Sequence, residues 1–315
     1  MKKTTAFFAA LLAAVLLCSC TGTIAPSSAP DIAGPAPGIT FTDALGHAVT
    51  VEKTDTVVAL MGSFAELWLT AGGTLAGVTD DAYSERGLDL PNTVVQLGSY
   101  KSPNIERMIV LEPDLVILSA DTDEHVALYE TLKDAGITAA YFSVMQFNEY
   151  LGTLKLFTSM TGRQDLYEQN GLAVQARVDA AIEATKGHES PSVLFIRTFS
   201  SGFRALGSDS MTGTMLKDLG AENIADRSPS LLQDLSLEAV IMSEPAFIFV
   251  VTMGADTEKA LDALYKGLQA NPAWAGLSAV KAGRYYVLPR ELFHYKPNAR
   301  WGESYEYLAK LLYGE

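Results

Sequence analysis

A nine-residue pattern occurs twice in this 315-residue chain. Ile105-Glu106-Arg107-Met108-Ile109-Val110-Leu111-Glu112-Pro113 precedes one apolar run, and Leu237-Glu238-Ala239-Val240-Ile241-Met242-Ser243-Glu244-Pro245 precedes another. Each opens on an apolar residue and Glu, continues for five residues, and closes on Glu-Pro ahead of a strand signal. The offset between Glu106 and Glu238 is 132 residues, close to half of the chain. One helix–turn–strand unit repeated half a chain apart predicts two similar lobes.

The surrounding pattern fixes the fold class. Short apolar runs at 56–61, 75–78, 115–118, 139–144, 193–198, 247–252 and 285–288 read as strands. Helical segments separate them, beginning with Phe64-Ala65-Glu66-Leu67-Trp68-Leu69 after the Gly62-Ser63 turn. Buried strands alternating with helices predict an α/β fold of parallel-rich sheets covered on both faces. Between 163 and 186 only Gly171 interrupts a stretch without Gly or Pro. Leu166, Gln169, Leu172, Val174, Val178, Ala181 and Ile182 form a rough helical stripe there. One long helix is expected to join the lobes. Tyr305, Leu308, Leu311 and Leu312 have the spacing of a closing amphipathic helix.

The amino terminus sets the compartment. Lys2 and Lys3 precede an apolar run at 6–17, shorter than the roughly 20 residues of a membrane span but suited to a secretory signal. Leu17-Cys18-Ser19-Cys20 resembles the bacterial lipobox, which implies cleavage after Ser19 and lipid on Cys20. Residues 21–37 are rich in Ser, Pro, Ala and Gly and read as a tether. The only cysteines are Cys18 and Cys20, so the body has no disulfide and its stability rests on its cores. The expected organisation is a signal peptide at 1–19, a lipid anchor and flexible tether at 20–37, an amino-terminal lobe at 38–162, a bridging helix at 163–187 and a carboxyl-terminal lobe at 188–315. The chain carries 23 basic and 37 acidic residues; without Lys2 and Lys3 the balance is near -16. That excludes nucleic acid and electrostatic adhesion to anionic lipid, leaving the lipid as the membrane attachment.

Several segments together resemble the iron-complex and cobalamin class of periplasmic-type binding proteins, the class III ligand-capturing subunits of ABC importers. They are Val57-Val58-Ala59-Leu60-Met61-Gly62-Ser63-Phe64-Ala65-Glu66-Leu67, Gly77-Val78-Thr79, Gly98-Ser99-Tyr100-Lys101-Ser102-Pro103-Asn104-Ile105-Glu106 and Glu112-Pro113-Asp114-Leu115-Val116-Ile117. The resemblance spans about 39–315. It implies two α/β lobes joined by one rigid helix, a ligand cleft between them, and work with an ABC permease and its ATPase. It also gives Glu106 and Glu238 the role of docking onto basic residues of the permease. From the residues alone, both open a helix that Asn104 and Ser236 can cap; Ser102 with Pro103 is the alternative start for the first. Each Glu could instead simply complement a helix dipole, worth about 0.3–1 kcal/mol.

Ligands of open parallel sheets bind beyond the carboxyl ends of strands. This rule nominates Met61, Ser63, Tyr83, Tyr100 and Lys101 in the first lobe. In the second it nominates Arg197, Arg204, Met253, His294, Tyr295, Arg300 and Trp301, with Phe199, Phe293 and Lys296 beside them. The set is basic and aromatic inside an acidic chain and favours an anionic ferric siderophore; cobalamin and haem are the alternatives within the family. His294 is a possible metal-coordinating residue, but the four histidines show no ligand-like clustering and no metal site is assigned. No resident cofactor is expected, and the chain is expected to act as a monomer. Enzyme motifs such as Gly-x-Ser-x-Gly and His-Glu-x-x-His are missing from the sequence, so a surface lipoprotein enzyme is the weaker rival.

Overall fold

In the computed structural model, residues 38–233, 235–254 and 256–314 are described. The expected signal peptide, Cys20 and the tether lie outside them. The first described elements, β1 (Ile39–Thr42) and β2 (Ala48–Val51), form an antiparallel hairpin whose alternation buries Val49 and Val51.

The first lobe is built on β3 (Val57–Ala59), β4 (Gly77–Val78), β5 (Val95–Gln96), β6 (Leu115–Ser119) and β7 (Ala139–Phe142). They lie in the order β5-β4-β3-β6-β7, all parallel. β3 and β6 are buried along their whole length, as strands with helices on both faces must be. The second lobe has β8 (Ser192–Phe199), β9 (Gly202–Ala205), β10 (Glu222–Asn223), β11 (Phe247–Thr252) and β12 (Tyr285–Val287). Its parallel order is β10-β8-β11-β12, with β9 folded back antiparallel on β8 so that Arg204 faces Arg197. In each sheet the chain builds outward from one strand and then crosses to its other side. The crossover points, β3/β6 and β8/β11, open a crevice at the carboxyl ends of those strands.

The bridging helix is a continuous run of Gln164–Tyr167, a π-helical turn Glu168–Leu172, and Ala173–Ala184. The π turn inserts one extra residue and rotates the apolar face. Val174, Val178 and Ala181 therefore turn inward, while Leu172, expected on the buried stripe, is 45% exposed. Gly171 sits in that turn because a Cβ would lie 3.0 Å from the Tyr167 ring. The final helix, Trp301–Tyr313, packs along the bridging helix and buries Trp301, Tyr305, Leu308 and Leu312 at helical spacing. A third connection is polar. The Asn298 amide donates to the Ser63 carbonyl (2.9 Å) and to Glu66 (2.8 Å), tying the start of the last helix to the helix Gly62–Thr70 of the first lobe.

The repeat is structural as well as sequential. Asn104 caps the helix Ile105–Val110 through the Arg107 amide, and Ser236 caps the helix Leu237–Ser243 through the Ala239 amide. Both units then pass through a Glu with left-handed φ, +45° at Glu112 and +41° at Glu244, before their proline.

These assignments predict unequal costs of truncation. Leu308→Ala should destabilise the chain by about 2–5 kcal/mol, whereas Leu172→Ala should stay within about 0.5 kcal/mol. Urea denaturation of both variants checks it.

Candidate functional site: the cleft between the lobes

The crevice holds a cavity of about 330 Å³ that draws on both lobes. From β3 come Met61 and Ser63, where the chain leaves the sheet and enters the helix Gly62–Thr70. That helix terminus is already occupied by a carboxylate. The Gly62 amide donates to Asp81 Oδ2 (2.6 Å), and the Thr79 hydroxyl donates to Asp81 Oδ1 (2.6 Å). Gly62 is needed for this close approach, since a Cβ would sit 2.7 Å from backbone atoms of Asp81 and Ala82. The Ser63 hydroxyl is buried and has no partner among the described residues.

From β6 come Ser119, Asp121 and Thr122. Tyr100 is held against this edge by His125, which is fully buried. The Ser119 amide donates to its Nδ1 (3.0 Å), so Nε2 carries the proton and donates to the Tyr100 carbonyl (2.8 Å). Burial pushes the His125 pKa down, in keeping with a neutral ring.

The second lobe supplies Arg197 from β8 and His294, Tyr295 and Lys296 from the loop after β12. No carboxylate among the described residues pairs with Arg197, and its Nε has no partner. Burial, then the neighbouring Arg204, pushes its pKa down. Arg290 stands behind the loop, donating to the Tyr295 hydroxyl (2.5 Å) with its guanidinium 5.0 Å from the Tyr295 ring. His294 is half-buried near both arginines. Burial first, then Arg197 and Arg290, lowers its pKa to about 4, so the imidazole is neutral at physiological pH. Its Nδ1 has no partner among the described residues. Lys296 lies with its ammonium 3.9 Å from Asp121 and 5.3 Å from the Phe64 ring; burial lowers its pKa against the pull of Asp121.

Arg86 and Glu85 complete the lining. Arg86 is paired with Glu66, which also accepts from Asn298, and burial lowers its pKa to about 10. Glu85 has its pKa raised by burial and then by Asp81, and makes no side-chain hydrogen bond among the described residues. The cations and acids of the cleft thus differ in commitment. Asp81 and Asp121 are tied up by protein donors, and Arg86 by Glu66. Arg197, Glu85, the neutral His294 and the hydroxyls of Ser63 and Tyr100 are left without side-chain partners among the described residues.

Of the twelve residues nominated from sequence, the structure brings Met61, Ser63, Tyr100, Arg197, His294 and Tyr295 to the cavity lining. Tyr83 packs against the first core instead. Lys101 is exposed over the Tyr100 ring, Arg204 and Met253 are exposed, and Arg300 makes a two-pronged ion pair with Glu303. Trp301 is 1% exposed and packs against Phe147 and Tyr305. Its spacing to Tyr305, Leu308 and Leu312 was the available signal for burial. Asp81, Glu85, Arg86, Ser119, Asp121 and Thr122 were not nominated. The carboxyl-end rule reaches Ser119–Thr122 when applied to β6; nothing in the local sequence marks Arg86.

The Glu106 and Glu238 side chains are exposed, and neither forms an ion pair or side-chain hydrogen bond among the described residues. Among the described residues no three His, Cys, Asp or Glu side chains converge to hold a metal ion, and no helix is long and apolar enough to cross a membrane.

Comparison with known proteins gives consistent matches. The family model described as Periplasmic binding protein matches residues 57–292. The uncharacterized ABC transporter substrate-binding lipoprotein YvrC of Bacillus subtilis strain 168 is 28% identical over 331 aligned positions, covering 99% of this chain and 98% of that protein. The Fe(3+)-citrate-binding protein YfmC of the same organism is 28% identical over 241 positions, covering 75% of this chain and 73% of that protein. Staphylococcus aureus SirA, solved in complex with staphyloferrin B, superposes with a TM-score of 0.66 at 19% identity, covering 88% of this chain and 97% of that one. This last likeness speaks for the fold alone.

The His294 environment has a pH signature. Its unfolded-state pKa is near 6.5 and its folded value about 4. Between those values the unfolded chain holds a proton that the native chain excludes, so stability falls as pH falls through the window. Going from neutral pH to about 4.5 should lower the urea midpoint more for the wild type than for His294→Gln. Equal shifts would contradict the neutral assignment.

Proposed function

The chain belongs to the periplasmic binding protein family, and from that membership and the cleft we propose that it is the extracytoplasmic ligand-capturing component of an ABC importer for an iron complex. The cargo is a compact ferric chelate with an anionic, oxygen-rich ligand shell, of the ferric citrate kind that two relatives are named for or the ferric anguibactin kind that a third is named for. It is a binding protein and not an enzyme, and it acts as a monomer held to the membrane by lipid on Cys20.

The observation that carries this reading is Arg197. Arg197 is half-buried at the cleft with its Nε out of solvent and no carboxylate partner among the described residues, and a partly desolvated guanidinium of this kind is costly unless a ligand supplies the negative charge. It faces a cleft in which Asp81 and Asp121 are committed to protein donors and Glu85 alone of the lining acids is not, inside a chain of formal charge -14. Charge-assisted hydrogen bonds from Arg197, with the Ser63 and Tyr100 hydroxyls, suit carboxylate or catecholate oxygens around a metal. The protein offers no three-ligand site of its own among the described residues, which favours a metal that arrives already chelated. The cavity of about 330 Å³ is at the small end of the roughly 300–1,000 Å³ usual for ligand pockets, which favours a compact chelate over a corrinoid. Haem is the second reading, and His294 is its specific support, because a neutral imidazole at physiological pH is competent to coordinate iron.

Arg197→Ala should weaken ferric citrate binding by about tenfold to a hundredfold, the loss expected for one or two charge-assisted hydrogen bonds. Arg204→Ala, on the exposed neighbour, should change it less than about threefold. Calorimetric titration of both variants tests this, and equal affinities for wild type and Arg197→Ala would reject the anionic-cargo reading.

The same proposal gives Glu106 and Glu238 the task of engaging basic residues of the permease. Reversing both charges to Lys should abolish uptake of the iron complex by cells while leaving the affinity of the purified protein unchanged. Normal uptake by the double variant would remove this role from the two residues.

A further inference from the structure

The two repeat units match in what they expose as well as in what they bury. Met108 and Val240, equivalent at the 132-residue offset, are both fully buried. The next pair, Ile109 and Ile241, are 38% and 37% exposed. The pair after that, Val110 and Met242, are 81% and 87% exposed, the two most exposed large apolar residues among the described ones. Each apolar pair stands three and four residues after the exposed glutamate, so Glu106, Ile109 and Val110 share one helix face, as do Glu238, Ile241 and Met242. In both units a non-glycine residue in the left-handed region, Glu112 or Glu244, stops the helix just beyond. That conformation costs about 1 kcal/mol or more, and it occurs at the same register twice.

A single exposed aliphatic side chain needs no explanation. The same two positions exposed on both lobes, beside the same unpaired carboxylate, do. A chain that presents one patch twice fits a partner that presents one complementary site twice, as an assembly of two like subunits does. The charge and the apolar content state the chemistry of that site: a shallow apolar recess rimmed by Arg or Lys.

We infer that Ile109-Val110 and Ile241-Met242 are the apolar anchors by which the two lobes seat on the paired permease subunits of the importer. This rests on the importer reading above and deepens it by dividing the labour at the interface. The carboxylates steer the encounter and give it its salt dependence. The apolar pairs lose their water on contact and hold the complex, so they set its lifetime.

The test is a surface-plasmon measurement of the full mature chain on the host's permease–ATPase complex in nanodiscs. Burying a Val or Met side chain is worth enough that Val110→Ser with Met242→Ser should speed dissociation by about tenfold or more. Association should stay within about twofold. Glu106→Gln with Glu238→Gln should mainly slow association and flatten its salt dependence. The exchange Val110→Met with Met242→Val keeps the apolar surface and should dissociate at the wild-type rate. Unchanged ferric citrate affinity in every variant shows that the fold is intact. A wild-type dissociation rate in the serine variant would overturn this inference and leave the importer reading standing. Failure of the wild-type chain to bind the complex would overturn both. Sedimentation showing that the wild type pairs with itself through these residues, and that the serine variant does not, would assign the patches to a second copy and overturn it as well.

Discussion

Parallel strand order is the constraint from which the rest of the molecule follows. In β5-β4-β3-β6-β7 the chain reverses its direction of growth between β3 and β6, and in the second sheet it does so between β8 and β11. Crossover helices on both faces leave only the carboxyl ends of the strands open, and a reversal parts the loops there. Met61 and Ser63 leave β3 at that place, Ser119–Thr122 leave β6, and Arg197 sits near the end of β8. The site is therefore a property of topology first and of side chains second. The bridging helix and the final helix keep the two crevices opposed, and Asn298 fastens the last segment to the first lobe through Ser63 and Glu66. Three connections across the lobes fit a cleft that closes modestly, unlike one hung on flexible strands.

The electrostatics follow from this placement. The surface is acidic, yet the cleft gathers Arg86, Arg197 and Lys296 with Arg290 behind them. Two of the three lining cations face a protein carboxylate, which stabilises the empty protein. Arg197 does not, and burial, helped by Arg197 and then Arg290, keeps the neighbouring His294 ring neutral. Glu85 on the other wall is also without a side-chain partner among the described residues, so the cleft offers one uncommitted cation, one uncommitted acid and several hydroxyl groups, and an anionic cargo would be held on the Arg197 side. If every cation there were unpaired the apo state would be costly, and if every one were paired there would be little to recognise.

Sequence reasoning found the architecture more readily than the site. β11 is legible at 247–252 residue for residue, because a fully buried strand is a continuous apolar run between Pro245 and a polar turn. β3 is shorter than its apolar run suggests: Met61 leaves the sheet to become the helix N-cap, a backbone decision that hydrophobicity does not encode. A helix runs through 164–184 inside the stretch marked by the apolar pattern, but its π turn re-aims Leu172 outward, since a period of 3.6 assumes an unbroken register. The repeated Glu motifs are visible because they are local. Arg86 is not, because its role depends on Glu66, Tyr295 and Lys296, which only the fold brings near it. Trp301 shows the opposite failure: a loop-end aromatic invites a ligand role, yet its register with Tyr305 and Leu308 commits it to the core.

We propose that this cleft takes a compact anionic iron chelate. Calorimetric titration of the purified mature chain with ferric citrate, haem and cobalamin, each at low and high salt, tests it most directly. The expected result is one-to-one binding of the ferric chelate that weakens as salt rises, with no saturable binding of haem or cobalamin. Tight, salt-insensitive binding of haem or cobalamin with no response to the ferric chelate would contradict it.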